Sequence, residues 1–357
     1  MTTKTRVLIV DDSALMRRYL REIIEGDQNL EVAGTARDGL EAVEMNLALE
    51  PDVITMDINM PRLDGLTAIQ YIMAQRPCPV LVVSSLTQKG ALATFEALEL
   101  GAVDYLPKPD GTVSLNIKDM AEEIRGKIRA VRRVRLELPK PAKPAGRARP
   151  AEPSKRRSPK IPGKSEKLVL IGVSTGGPRT LMEILPLLPA DFGAPLVVVQ
   201  HMPESFTRPF AERLNRECHL EFKESTEGML LVPGVGVVAR GGVHLKVDRR
   251  PGEAACRLRH SHRPADALYK PSVDVAFRSA LACLDAKNMI AVLLTGMGDD
   301  GADAMVDIRR AGGLTIAEAE ETAVIWGMPG EAVKRGGAAL ILPHHDIAGA
   351  LMNALAN

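Results

Sequence analysis

The sequence predicts an α/β protein built from two parallel-sheet domains. Strand-like and helix-like patterns alternate along most of the chain, and one long Pro-, Lys- and Arg-rich stretch interrupts them. Each half also places polar, chemistry-bearing residues directly after its apolar runs. At 357 residues the chain has room for two domains of roughly 100–200 residues each. Its 45% hydrophobic and 25% charged residues are those of a globular protein, and a net charge of +1 favours neither nucleic acid nor membrane as partner.

In the N-terminal half, β-branched apolar runs at residues 7–10, 31–36, 53–56, 80–83 and 104–106 predict five strands. Helical periodicity fills segments such as 38–50, 66–74 and 91–100, with Gly39, Gly65 and Gly101 at their ends. Five such units predict a (βα)5 domain with helices on both faces of a parallel sheet. Residues 138–166 carry almost no large apolar side chain and predict a flexible linker. No aromatics interleave its basic residues, and no helix-turn-helix pattern follows, so a nucleic-acid role is not expected.

After the linker, runs at 168–173, 196–200 and 289–295 predict buried parallel strands, and 178–188, 272–284 and 301–311 predict helices. The Gly- and Val-rich alternation of 227–260 predicts antiparallel hairpins inserted at one end of a doubly wound parallel sheet. The four cysteines form no CxxC pair, no signal peptide is evident, and no run approaches the ~20 apolar residues of a membrane span. A cytoplasmic location is the expectation.

In open parallel sheets, ligand chemistry collects at the C-terminal strand ends. Asp11 and Asp12 follow the first strand and Asp57 the third, where three acids would repel one another unless a hard cation such as Mg²⁺ sat among them. Ser84 ends the fourth strand and Lys108 follows the fifth, which completes a set suited to making and holding an aspartyl phosphate. The alternative is that the acids only cap the helices that follow. In the C-terminal half, IGVSTGGP places Ser174 in a G-x-S-x-G turn between strand and helix, a pattern that also suits phosphate or nucleotide binding. His201 ends the next strand, and Asp299 and Asp300 follow the third, so a Ser–His–Asp set is available at one sheet edge. Helix N-capping is the alternative use of those two acids.

Residues 5–125 resemble the receiver domain of bacterial response regulators, from VLIVDDS through MDINMPRLDG and VSS to KP. GVSTGGP, QHMP with FTRPFAERLN, LTGMGDDGA and GMPGEAV resemble the chemotaxis-type protein-glutamate methylesterase family, over essentially the whole chain. The resemblance implies a receiver at 5–125, a helix end and linker at 126–165, and a methylesterase domain at 166–357. It implies phosphorylation at Asp57, with Mg²⁺ held at Asp11, Asp12, Asp57 and the backbone carbonyl of Asn59. Lys108 would contact the phosphoryl group, Ser84 and Tyr105 would switch with it, and the Lys108–Pro109 bond would be cis. In the second domain Ser174 would be nucleophile, His201 base and Asp300, immediately before the glycine, the orienting acid, with Thr175 and Met297 as backbone oxyanion donors and no cofactor. The implied activity is hydrolysis of glutamate γ-methyl esters, and deamidation of glutamines, on methyl-accepting chemoreceptors. A chemotaxis histidine kinase would be the phosphodonor. The long basic linker departs from the family pattern.

Overall fold

The computed structural model describes residues 4–85, 87–108, 117–132, 134, 167–250 and 255–356. These fall into two compact units, divided between residues 142 and 143. The predicted linker and Pro109, hence the Lys108–Pro109 bond, lie outside the described residues.

The N-terminal unit runs β1 (Thr5–Val10), α1 (Ala14–Glu25), β2 (Leu30–Ala36), α2 (Gly39–Leu49), β3 (Val53–Asp57), α3 (Gly65–Gln75), β4 (Val80–Ser84), α4 (Gln88–Glu99), β5 (Asp104–Pro107) and α5 (Ile117–Val131). Its strands are all parallel, in the order β2-β1-β3-β4-β5. Every residue of β3 and β4 is buried, as befits inner strands covered on both faces. Ser13, Asp38, Asp64 and Thr87 start α1 to α4 by accepting from first-turn N–H groups.

The C-terminal unit contains β6 (Leu168–Val173), α6 (Gly177–Ile184), β7 (Leu196–Gln200), α7 (Glu204–Glu217), β8 (Glu221–Glu224), β9 (Val235–Val238), β10 (His244–Asp248) and β11 (Arg257–Ser261). It continues with α8 (Val273–Leu281), β12 (Met289–Leu293), α9 (Ala302–Arg310), β13 (Leu314–Glu318), α10 (Met328–Lys334), β14 (Leu340–Leu342) and α11 (His344–Ala356). Seven strands form one parallel sheet in the order β14-β13-β12-β6-β7-β9-β8. The chain winds outward from β6 in both directions, so the sheet's switch point lies at β6 and its neighbours. Phe206, Phe210 and Phe277 are fully buried in this unit, each taking about 1.5–3 kcal/mol of apolar surface out of water.

Only part of the 227–260 alternation forms a hairpin. β10 and β11 pair antiparallel, but β9 enters the main sheet parallel to both β7 and β8. All four β9 residues are buried. Alternation within the run does not say which strand lies beside it, and pairing with two parallel neighbours decides that a strand is internal.

Candidate active site and phosphoacceptor site

In the N-terminal unit β1 and β3 are neighbours, so their C-terminal ends bring Asp11, Asp12 and Asp57 together. Ligand oxygens of the three lie within 4.8 Å of one another. Asp11 and Asp57 are almost completely buried and Asp12 is exposed. Lys108 Nζ sits 3.0 Å from Asp11 Oδ2 and 2.9 Å from Asp57 Oδ2. Its own N–H donates to Ser84 O, which fixes the lysine to the end of β4. Arg17 Nη1 donates to the carbonyls of Asp11 and Asp12, a support that no sequence pattern signalled. Helix capping does not account for the acids, because Ser13 and Asp64 cap α1 and α3.

Burial pushes the Asp57 carboxyl above its ordinary pKa; the nearby Asp11 charge adds to this, and the Lys108 ammonium only partly offsets it. Burial opposes the Lys108 charge, but hydrogen bonds to Asp57 and Asp11 outweigh it and hold the ammonium above its ordinary pKa. Three convergent acids with one lysine between them suit a hard divalent cation. Asn59 is exposed in the turn two residues beyond Asp57. Ser84 follows Val83, the β4 partner of Asp57, yet its hydroxyl donates to Gly90 O rather than to the acids. The Tyr105 ring is buried beneath Lys127, whose Nζ lies 5.2 Å from the ring centre.

In the C-terminal unit the neighbouring strands β12, β6 and β7 present Asp300, Ser174 and His201 at one edge. Ser174 leaves β6 in a tight turn. Its N–H donates to Thr295 O and its carbonyl accepts from Gly177 N, while Gly176 adopts φ +78°, a conformation costly for other residues. His201 N donates to Val173 O, which places the histidine one residue across from Ser174. His201 Nε2 lies 2.8 Å from Asp300 Oδ2, and its Nδ1 is buried with no hydrogen-bond partner among the described residues. The carboxylate assigns the proton to Nε2, leaving Nδ1 as the acceptor nitrogen. Tyr269 stacks on the imidazole at 4.0 Å between ring centres, with the planes 11° apart. That ring fixes the imidazole plane, and nothing in its sequence context had signalled it.

Asp300 is held by a complete set of donors. Beyond His201, its oxygens accept from Ser272 Oγ (2.9 Å), Val273 N (2.7 Å) and Asp274 N (3.0 Å). Burial raises its pKa, but the His201 hydrogen bond and charge and the α8 amides outweigh that and hold the carboxyl below its usual range. Asp299 points elsewhere, pairing with Arg335 at 2.5 Å and largely exposed. Neither acid caps the helix that follows, since the N-cap of α9 is Gly301 and no side chain caps it. Asp300 instead accepts from the first amides of α8, whose N-cap is Ser272, and Asp274 of α8 accepts from Ala304 N at the start of α9. The two elements therefore lock each other. Thr175 is buried and Met297 half-buried beside this edge.

Residues 169–351 match the CheB methylesterase family and residues 7–117 the response regulator receiver domain. The chain belongs to the CheB methylesterase family. A "protein-glutamate methylesterase/protein-glutamine glutaminase 2" of Carboxydothermus hydrogenoformans is 58% identical over 97% of this chain and 98% of its own length. One from Pyrococcus horikoshii is 40% identical, over 97% of this chain and 92% of its own. The crystal structure of the Thermotoga maritima CheB methylesterase catalytic domain matches at TM-score 0.50 and 38% identity, covering 52% of this chain and 97% of that one. Membership explains why a receiver and a hydrolase-like sheet share one chain. No helix among the described residues is long and apolar enough to cross a membrane.

Proposed function

We propose that this chain hydrolyses glutamate γ-methyl esters, and deamidates glutamines, on the cytoplasmic helices of methyl-accepting chemoreceptors, and that phosphorylation of its receiver activates it. The observation that carries the reading is the His201–Asp300 hydrogen bond, on a histidine whose backbone N–H donates to Val173 O beside Ser174 and whose Nδ1 is buried with no hydrogen-bond partner among the described residues. Homology supports the substrate class: curated relatives over nearly the full chain carry the methylesterase/glutaminase name.

Ser174 Oγ attacks the side-chain carbonyl carbon while His201 Nδ1 takes its proton. The imidazolium formed is paired through Nε2 with Asp300, and the oxyanion is met by the N–H groups of Thr175 and Met297. The proton then passes from Nδ1 to the leaving methoxide oxygen, and methanol departs. Water, deprotonated by the same nitrogen, attacks the acyl ester and releases glutamate and free Ser174. With a glutamine substrate, ammonia leaves in place of methanol.

Asp57 is the phosphoacceptor, a chemotaxis histidine kinase the phosphodonor, and the cytoplasm the site of action. Asp11, Asp12 and Asp57, with the Asn59 carbonyl, are the residues that would hold Mg²⁺, whose charge favours phosphoryl transfer between oxyanions. Lys108 shares the charge of Asp57 and Asp11 and is placed to pair with the phosphoryl group. Ser84 ends β4, the strand next to Asp57, and Tyr105 lies one strand further on β5; a new dianion on Asp57 would draw on the serine hydroxyl. The reading is tested by methanol release from methylated receptor membranes, with and without a small-molecule phosphodonor. Release is expected from the parent, at a rate raised by phosphodonor, and absence of release from any receptor membrane would overturn the reading.

A further inference from the structure

Ser174 and Thr175 share one peptide group, and a trans peptide points its carbonyl and its N–H in opposite directions. Whatever grips the Ser174 carbonyl therefore aims the Thr175 N–H. Two donors grip it: Gly177 N at 2.9 Å and the Gln200 side-chain Nε2 at 2.9 Å. The same Nε2 donates to the His201 carbonyl at 3.0 Å. Both partners are carbonyl oxygens, so only the amide nitrogen of Gln200 can face them, and this fixes the orientation of the carboxamide.

Gln200 is 1% exposed, and its Oε1 is buried with no hydrogen-bond partner among the described residues. A buried amide oxygen without a protein partner is unfavourable for stability, and an apolar side chain of the same shape would avoid it. What Gln200 supplies in return is geometry. The fold also makes room for it: a Cβ at Gly177 would lie 2.1 Å from Gln200 Oε1. The next peptide is anchored from the other side, where Thr295 Oγ1 donates to Thr175 O at 2.9 Å and accepts from Ile325 N at 2.9 Å. Thr295 is itself held through its N–H by Glu318 Oε2, a fully buried carboxylate, at 2.8 Å.

We propose that Gln200 is a positioning residue for the oxyanion site. By holding the Ser174 carbonyl it aims the Thr175 N–H, and by holding the His201 carbonyl with the same nitrogen it ties the base to the nucleophile's frame. Thr295 anchors the far side of Thr175. This rests on the reading of Ser174 as nucleophile given above.

The test uses the full chain and methanol release from methylated receptor membranes, with kcat expressed per Ser174 that reacts with an organophosphate. Gln200→Met keeps the shape and removes the donor. It is expected to lower kcat about 10- to 100-fold with KM within about two-fold, since a donor displaced by ~1 Å costs on the order of 10²-fold. Gly177→Ala, which displaces the carboxamide without removing it, is expected to act in the same direction and covers the case in which Gln200→Met does not fold. Thr295→Val is expected to lower kcat and Thr295→Ser to restore it. A parental kcat in a folded Gln200→Met or Gly177→Ala protein, or a change in KM alone, overturns the proposal. Ser174→Ala separates the two levels: methanol release by that variant would sink the nucleophile assignment itself, whereas an inactive Ser174→Ala beside a fully active Gln200→Met would sink only the role of Gln200.

Discussion

The receiver gathers Asp11, Asp12 and Asp57 at one strand edge, with Lys108 paired to Asp11 and Asp57, whereas the second domain gives Asp300 four donors of its own. Both sites stand at the C-terminal ends of parallel strands, and both bury a carboxylate. Their electrostatics are opposite. The carboxyl of Asp57 is pushed up by burial and a neighbouring charge, while that of Asp300 is held down because hydrogen bonds outweigh burial. An acid left short of positive charge is one prepared for an incoming partner, a cation or a phosphoryl group. An acid with all its donors in place is a fixed part, and it serves by orienting something else.

The largest effects belong to the hydrolase half. Ser174→Ala and His201→Ala are each expected to reduce methanol release by several orders of magnitude, and the double variant by little more, because the residues act as a unit. Losses that multiply in the double variant would show two independent contributions.

Asp300 and Asp299 sharpen the contrast within one loop. Asp300→Asn is expected to lower kcat by about 10⁴-fold, through loss of the His201 tautomer and its charge partner. Asp299→Asn removes only an exposed pair with Arg335, an interaction of roughly 0–1 kcal/mol, and is expected to leave kcat within a few-fold of the parent. A larger loss at Asp299 would reverse the assignment.

In the receiver, filling the acid cluster is expected to stabilise the fold. Mg²⁺ at a hundred times its Kd contributes about 2.7 kcal/mol, read as a rise in the receiver's unfolding temperature. Asp57→Asn is expected to blunt that rise and to abolish the response of methanol release to phosphodonor, with basal release retained. An equal Mg²⁺ shift in parent and variant would place the cation elsewhere.

The smallest effect is a pair of opposite pH dependences, measured with chelator present. Asp300 has a lowered folded pKa, so its stabilising contribution is complete above the unfolded carboxylate value of about 3.9 and is lost as pH falls through the folded value. Asp57 has a raised folded pKa, so its charge costs stability as pH rises from about 3.9 through that folded value. At neutral pH, Asp300→Asn is therefore expected to destabilise its domain and Asp57→Asn to stabilise the metal-free receiver. Both differences are expected to fade in acid, and shifts of the same sign would refute the contrast.

Much of this architecture was determined by sequence alone. The parallel alternation, the polar residues closing β1, β3, β6 and β7, and the motif acids all follow from local pattern, since a buried parallel strand must be continuously apolar and its chemistry can begin only where it ends. Tertiary structure decided what local pattern cannot carry. β9 became an inner strand because β7 and β8 lie on either side of it. Asp300 serves α8 rather than the helix that follows it, because α8 arrives from 26 residues earlier in the chain to present its amides. Tyr269 on the imidazole, Arg17 beneath the acid cluster and Gln200 between two carbonyls gave no motif, because each acts on a backbone group or ring brought close only by folding. The sequence by itself points to the candidate reacting residues; the packed sheet edge determines which neighbours hold them still, since a hydrogen bond depends on where two groups meet and not on their spacing along the chain.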